Sequence, residues 1–194
     1  MKTRTPLDVE AIFRDAGALR EGHFVLASGR HSARYLEKFH VLQYPRETER
    51  LAAAIADWAR TLGVATVAGP TTGGIILAFE TGRQLGVRAI FAEEVRDSDG
   101  STRREFRRGF RIAPGERVLL VDDILTTGGS LLAMLPAVEA MGGDIIECVV
   151  LVDRSGGGTN MLTITSQTAS RSRVRRTRFQ RCQTVASRRA RKSV

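Results

Sequence analysis

Apolar and polar positions along this chain follow two periods. Leu7 to Ala16 sets Val9, Ile12, Phe13 and Ala16 at helical spacing, and Arg46 to Leu62 puts Leu51, Ile55, Trp58 and Leu62 on one helical face. Short apolar runs at 64–68, 87–92, 117–121 and 145–152 read as strands, with helices or loops between them. That alternation is the βαβ rhythm of a parallel sheet. Phe24 to Gly29 and Ala33 to Leu36 read as two further strands around a glycine turn. The run Val118-Leu-Leu-Val121 has no polar position, which predicts a strand covered on both faces.

Two of these strands end in the same loop. After 118–121 come Asp122, Asp123, Ile124 and Leu125, then Thr126-Thr127-Gly128-Gly129-Ser130 and a helix predicted over Leu131–Met141, kinked at Pro136. After 64–68, Gly69-Pro70 leads through Thr71-Thr72-Gly73-Gly74 into a helix predicted over Ile75–Leu85. A turn of this kind aims free backbone N–H groups and a helix N-terminus at one spot, which favours a phosphate. Glycines at 73 and 74 also let a ligand approach the backbone closely. Two such loops on neighbouring strands predict a ligand with two separated phosphate groups. The acid pair before the second loop suits sugar hydroxyls. The plainer alternative is an ordinary βα turn after a strand-end acid pair.

Composition narrows the class. A chain of 194 residues with 42% hydrophobic content can bury one sizeable core, so one domain is expected. No apolar run approaches membrane-spanning length, and Asp8, Glu10 and Asp15 argue against a secretory signal. Cys148 and Cys182 have no metal or redox spacing, and Cys148 reads as a buried reduced thiol in a cytoplasmic protein.

The net charge of +9 is unevenly spread. Residues 1–154 carry 20 Lys and Arg against 21 Asp and Glu, a balance of −1, whereas residues 155–194 carry ten basic side chains and no acid. That last stretch has no helical or strand period and should not fold alone. It suits RNA or an acidic partner. An abrupt switch to Arg, Ser and Thr with no acids is what a shifted reading frame through GC-rich DNA yields, and this reading is preferred to the first.

The acid pair with Thr-Thr-Gly-Gly resembles the phosphoribosyl-pyrophosphate (PRPP) motif of the type I phosphoribosyltransferases. Gly22 to Ser32 with Tyr35 is similar to the orotate-binding hood of the orotate phosphoribosyltransferases, and Val152-Asp-Arg-Ser-Gly-Gly157 to their segment after the last core strand. The resemblance covers about residues 7–157. It implies an α/β fold, a central mostly parallel sheet flanked by helices with a small N-terminal hood. Its domain would span 1–157, with the hood at about 1–40 and the core at about 46–157, followed by the basic tail 158–194.

The implied activity is transfer of a phosphoribosyl group from PRPP to orotate, with release of pyrophosphate, in pyrimidine synthesis by a homodimer that uses Mg²⁺. PRPP would meet Thr71 to Gly74, Glu94 and Asp122 to Ser130, the first loop holding pyrophosphate and the second the 5′-phosphate. Asp122 and Asp123 would reach Mg²⁺ only through water. Orotate would meet Ser28, Gly29, Tyr35, Thr126 and Arg154. The pairing is chemically apt, since an anionic planar ring wants a guanidinium and an aromatic face.

The chain also departs from the family. Ala27 stands where many relatives carry Lys, and Glu94 stands at or beside a position where they carry a cation. A cationic lid role over 94–108 then falls to Arg96, Arg103 or Arg104; that stretch also reads as a solvated hairpin. Relatives continue past Gly157 with an apolar strand, where this chain has its basic tail. Two other readings share parts of the pattern: a purine-type phosphoribosyltransferase, and a PRPP-sensing regulator that binds RNA through the tail.

Overall fold

The computed structural model describes residues 7–25, 29, 31–154 and 165–167. Chain order is α1 (Val9–Asp15), β1 (Leu19–Val25), β2 (His31–Leu36), α2 (Phe39–Leu42), α3 (Pro45–Ala59), β3 (Thr66–Pro70) and α4 (Gly73–Leu85). There follow β4 (Arg88–Arg96), β5 (Thr102–Glu105), β6 (Arg117–Leu125), α5 (Gly129–Ala140), β7 (Asp144–Asp153) and β8 (Thr165–Gln167).

Among the described residues, six strands form one sheet in the order β5-β4-β3-β6-β7-β8, while β1 and β2 form a separate antiparallel hairpin. The pairs β3–β4, β3–β6 and β6–β7 are parallel, and β4–β5 and β7–β8 are antiparallel. The expected mostly parallel α/β sheet is therefore present. Among the described residues, no helix is long and apolar enough to cross a membrane.

β6 shows why the central run is wholly apolar. Val118, Leu119, Leu120 and Val121 are all fully buried. Leu119 and Val121 pack into a core with Phe13, Leu51, Ile55 and Leu77, under α1, α3 and α4. Val118 and Leu120 pack into a second core with Met134, Val138, Ile90 and Phe106, under α5. The two-residue period of a strand sends alternate side chains to opposite faces, and here each face has its own helices.

The helices begin and end for local reasons. Asp8 caps α1 by accepting from Ala11 N at 2.9 Å. Pro45 opens α3, where its missing N–H costs nothing. Gly86 ends α4 with a left-handed φ of 71°. α5 starts two residues before its expected start, and Pro136 lies within it.

Several boundaries differ from the sequence reading. β6 runs on through Asp122 and Asp123, because its ladder with β7 continues to the pair Leu125–Asp153. The acids thus sit in the strand rather than after it. The hood strand β1 begins at Leu19, five residues early, since its exposed Arg20, Glu21 and His23 hide the strand pattern. Segment 94–108 is largely a hairpin, β4 folding back on β5 from Arg96–Thr102 to Glu93–Glu105.

Three residues of the basic stretch form β8 against Val150, Val149 and Cys148 of β7, too short a segment to register a period. The rest of residues 155–194, including Cys182, lies outside the described residues. Cys148 is buried, and burial pushes its thiol up to about 12.

The turn from β3 into α4 is a tight crossing. A methyl group added at Gly69 would come within 3 Å of the backbone of Gly74. By contrast, nothing lies within 4 Å of the corresponding position at Gly86, where only the left-handed backbone resists a side chain. Gly86→Ala should therefore cost about 1–2 kcal/mol, and Gly69→Ala distinctly more, because backbone has to move. Urea unfolding of the two variants beside wild type checks the order; equal losses would contradict the packing at Gly69.

Candidate functional site

β3 and β6 are neighbours, yet their chains leave in opposite directions. β3 feeds α4 and returns to β4 on one side, whereas β6 feeds α5 and arrives at β7 on the other. α4 belongs to one face of the sheet and α5 to the other. A crevice opens at such a reversal, outside the carboxyl ends of the strands. Loops 71–74 and 126–130 form its two walls.

Both helices aim their first N–H groups there, and in α5 Gly129 N donates to Thr127 Oγ1 at 3.4 Å. Neither Thr72 at the start of α4 nor Gly128 at the start of α5 makes a side-chain capping bond. The first amides of a helix need partners, and their partial positive charge favours an anion. Thr71 N donates to Ala92 O at 3.0 Å, fastening the first loop to β4, and the Thr71–Thr72 peptide is cis. Gly128 adopts a left-handed φ of 78°, which a side chain would resist. Thr126, Thr127, Gly129 and Ser130 are exposed at the mouth, while Leu125 is buried behind them and Ile124 partly so.

Between the loops lie Asp122 and Asp123, 7% and 3% exposed. Asp123 N donates to Asp122 Oδ1 at 2.9 Å. Burial, and then the neighbouring Asp123 charge, push the Asp122 carboxyl up to about 7. Asp123 is also raised by burial, with Lys38 pulling it back. Lys38 Nζ donates to Asp123 Oδ1 at 3.0 Å and lies 2.8 Å from Oδ2. Oδ2 itself is buried without a hydrogen bond of good geometry among the described residues. It rests against Gly73, where any Cβ would collide with it.

The cations of the β4–β5 hairpin separate by strand face. Arg104, 9% exposed, donates to Thr71 Oγ1 at 2.7 Å and lies 3.3 Å from Glu94. Its charge also favours the ionised form of Asp122. Arg103 points the other way, paired with Asp97 at 3.1 Å and Glu105 at 2.9 Å and half exposed. Arg96 is exposed at the end of β4. The structure thus brings Arg104 to the first loop and leaves Arg103 outside the crevice. Glu94 reaches the site as the partner of Arg104.

Arg154 follows β7 directly, and its N donates to Leu125 O at 2.7 Å, so it stands beside the second loop. In the hood, Tyr35 is 36% exposed and stacks at 5.5 Å on Phe24. Gly29 lies at the hairpin tip with a φ of 76°. Ser28 falls outside the described residues. Lys38 was not legible in the sequence: it sits 85 residues from its partner, and one lysine between Glu37 and Phe39 carries no local signal.

A model of the phosphoribosyl transferase domain family matches residues 41–166. An orotate phosphoribosyltransferase of a Sulfurovum species is 42% identical over 160 residues, 79% of this chain and 77% of its own length. The enzyme of the same name from Pelotomaculum thermopropionicum is 46% identical over 154 residues, 79% of this chain and 78% of its own. The crystal structure of orotate phosphoribosyltransferase from Aeropyrum pernix superposes with a TM-score of 0.66 at 25% identity, covering 77% of this chain and 85% of that one. An adenine phosphoribosyltransferase structure from Thermoanaerobacter pseudethanolicus has the same fold, with a TM-score of 0.59 at 19% identity over 75% of this chain and 87% of its own.

The burial of Asp122 has a consequence for stability. Its carboxyl sits near 3.8 when unfolded and about 7 when folded, so the folded state holds its proton more tightly. Stability should therefore fall as pH climbs from about 4 to about 7, by up to about 4 kcal/mol. Asp122→Asn removes that loss. Unfolding free energies at pH 4, 5.5 and 8 should show the variant gaining on wild type as pH rises; a constant difference would refute the shift.

Proposed function

The chain belongs to the orotate phosphoribosyltransferases of the phosphoribosyl transferase domain family, and from that membership we propose how its own residues carry the reaction. Orotate and PRPP become orotidine 5′-phosphate and pyrophosphate, a step of pyrimidine (UMP) synthesis. The observation that carries the site assignment is the buried Asp122–Asp123 pair between the N-termini of α4 and α5.

In this reading the amides of Thr126 to Ser130 surround the 5′-phosphate, and Thr71 to Gly74 receive the pyrophosphate. Asp122 and Asp123 accept the ribose hydroxyls; Asp123 Oδ2, without a hydrogen bond among the described residues and shared with the Lys38 ammonium, supports this. The bond from C1 to pyrophosphate breaks as positive charge grows on the ribose ring, so positioning and electrostatics do most of the work. Two carboxylates beneath the ring favour that charge. Arg104, already hydrogen-bonded to Thr71, is placed to favour charge on the leaving pyrophosphate. It takes the part that Glu94 cannot.

On the base side, Arg154 grips the orotate carboxylate with two parallel hydrogen bonds. Tyr35 supplies an aromatic face, Gly29 and Ser28 read the ring edge, and Thr126 borders the ring from the second loop. Residues 1–40 act as the hood on a core that runs from about 46 to 157, and the basic tail follows from 158.

Mg²⁺ fits this donor set in one way. Among the described residues no group of three or more His, Cys, Asp or Glu side chains could hold it. The two buried carboxylates would hold it through its water shell, together with oxygens of PRPP. Bound there, it would neutralise the leaving pyrophosphate.

We also place the enzyme in the cytoplasm as a homodimer. The exposed Phe79, beside Leu42, Pro45, Ile75 and Ile76, offers an apolar surface for a second copy. The regulator reading rests on the charge of the tail alone, ten basic side chains and no acid over 155–194. The purine-type alternative shares the fold, but the relatives cited above at 42% and 46% identity are orotate enzymes.

Asp122→Asn and Asp123→Asn should each lower kcat/KM roughly tenfold to a hundredfold, since a charge-assisted hydrogen bond is worth ~1.5–3 kcal/mol. Arg104→Ala should act in the same range while Arg103→Ala stays near wild type. An orotate absorbance assay decides, and near-normal turnover in both Asp variants would remove the PRPP assignment.

Arg154→Ala should raise the KM for orotate far more than that for PRPP. Equal changes in the two constants would make Arg154 a structural residue.

A further inference from the structure

A short segment joins the hood to the ribose acids. Tyr35 OH donates to Glu37 Oε2 at 3.3 Å, Lys38 follows Glu37, and Lys38 Nζ donates to the buried Asp123. Leu36 anchors this segment in the core, and Glu37 N donates to Ala18 O at 2.8 Å. Lys38 Nζ also lies 5.4 Å from the centroid of the Phe39 ring, so two partners hold the amine. An aromatic ring of the hood and a carboxylate of β6 are thus each held by one of two adjacent residues, Glu37 and Lys38.

We propose that Lys38 is a positioning residue that makes the hood and the ribose acid respond to each other, so that occupancy of the ribose site strengthens binding of the base. This rests on the orotate phosphoribosyltransferase reading and goes beyond it, because that reading assigns Lys38 no part. Asp123 Oδ2 is closed on one side by Gly73, so ribose hydroxyls that reach Asp123 must share it with Lys38. A carboxylate already satisfied by hydroxyls pulls less on the ammonium. The amine, on a side chain 30% exposed, is then freer to favour an anionic ring beside Tyr35. Such coupling is reciprocal: the base must strengthen ribose binding by the same factor. A lysine that merely fastened the hood would affect both ligands separately and leave no coupling between them.

The test is calorimetric titration of orotate with and without saturating ribose 5-phosphate. This probe carries the phosphate and hydroxyls but has no leaving pyrophosphate, so no transfer follows. Wild type should bind orotate about fivefold tighter in its presence, at the lower end of usual couplings between sites. Lys38→Met should reduce the factor to near one, and Lys38→Arg should keep most of it. Glu37→Gln, which weakens the Tyr35 end while leaving the Lys38–Asp123 contact in place, should lower it partway, and it decides the matter should Lys38→Met fail to unfold cooperatively. Full coupling in Lys38→Met or in Glu37→Gln overturns the proposal, as does wild-type enzyme that turns over normally yet shows no coupling. Wild type that converts no orotate with PRPP strikes the underlying reading instead, so the two failures are distinct.

Discussion

Everything at the site depends on two parallel neighbours, β3 and β6, sending their helices to opposite faces of the sheet. If both helices lay on one face, packing would close the gap between the loops. Because they diverge, the strand ends stay open to solvent and two helix N-termini converge on the same space. A pair of carboxylates can then be buried at the base of that space without being sealed inside the core. The apolar run of β6 is the other half of the arrangement. It fixes the strand between two separate cores and so fixes where its acids emerge.

The electrostatics of the crevice follow from the same geometry. Two adjacent buried carboxylates are an unfavourable arrangement, seen in the upward shift of both groups. Three things offset it: the amine of Lys38, the guanidinium of Arg104 above the first loop, and the helix ends. None of the three belongs to β6. The acids therefore depend on three separate parts of the chain being in place, which ties the chemistry of the site to correct folding of the hood and of the β4–β5 hairpin.

Much of this was readable from local pattern. The four apolar residues of β6, the repeated Thr-Thr-Gly-Gly and the helical faces of α1 and α3 carry their structure in short-range spacing. What escaped depends on pairing. The extension of β6 through Asp122 and Asp123 is set by β7, and the early start of β1 by β2. Arg103 and Arg104 are adjacent and chemically alike in sequence; only the pleat of β5 decides which one faces Thr71. The contact of Lys38 with Asp123 joins distant segments and leaves no trace in either. Gly73 was read as room for a ligand, whereas the structure also shows it as room for Asp123 Oδ2.

The β4–β5 hairpin also bears on how the molecule meets its own kind. β5 is the outer strand of the sheet, and an outer strand offers unpaired backbone groups to any other chain that passes. This one is only four residues long, and three of those four carry charge: Arg103, Arg104 and Glu105. Its turn adds Asp97 and Asp99. A second sheet laid alongside would have to strip water from this band of mixed charge before a single ladder bond formed. The strand that supplies a cation to the crevice thus also protects the sheet margin against fibrous self-association, and apolar replacements along it would erode colloidal stability even where turnover survived.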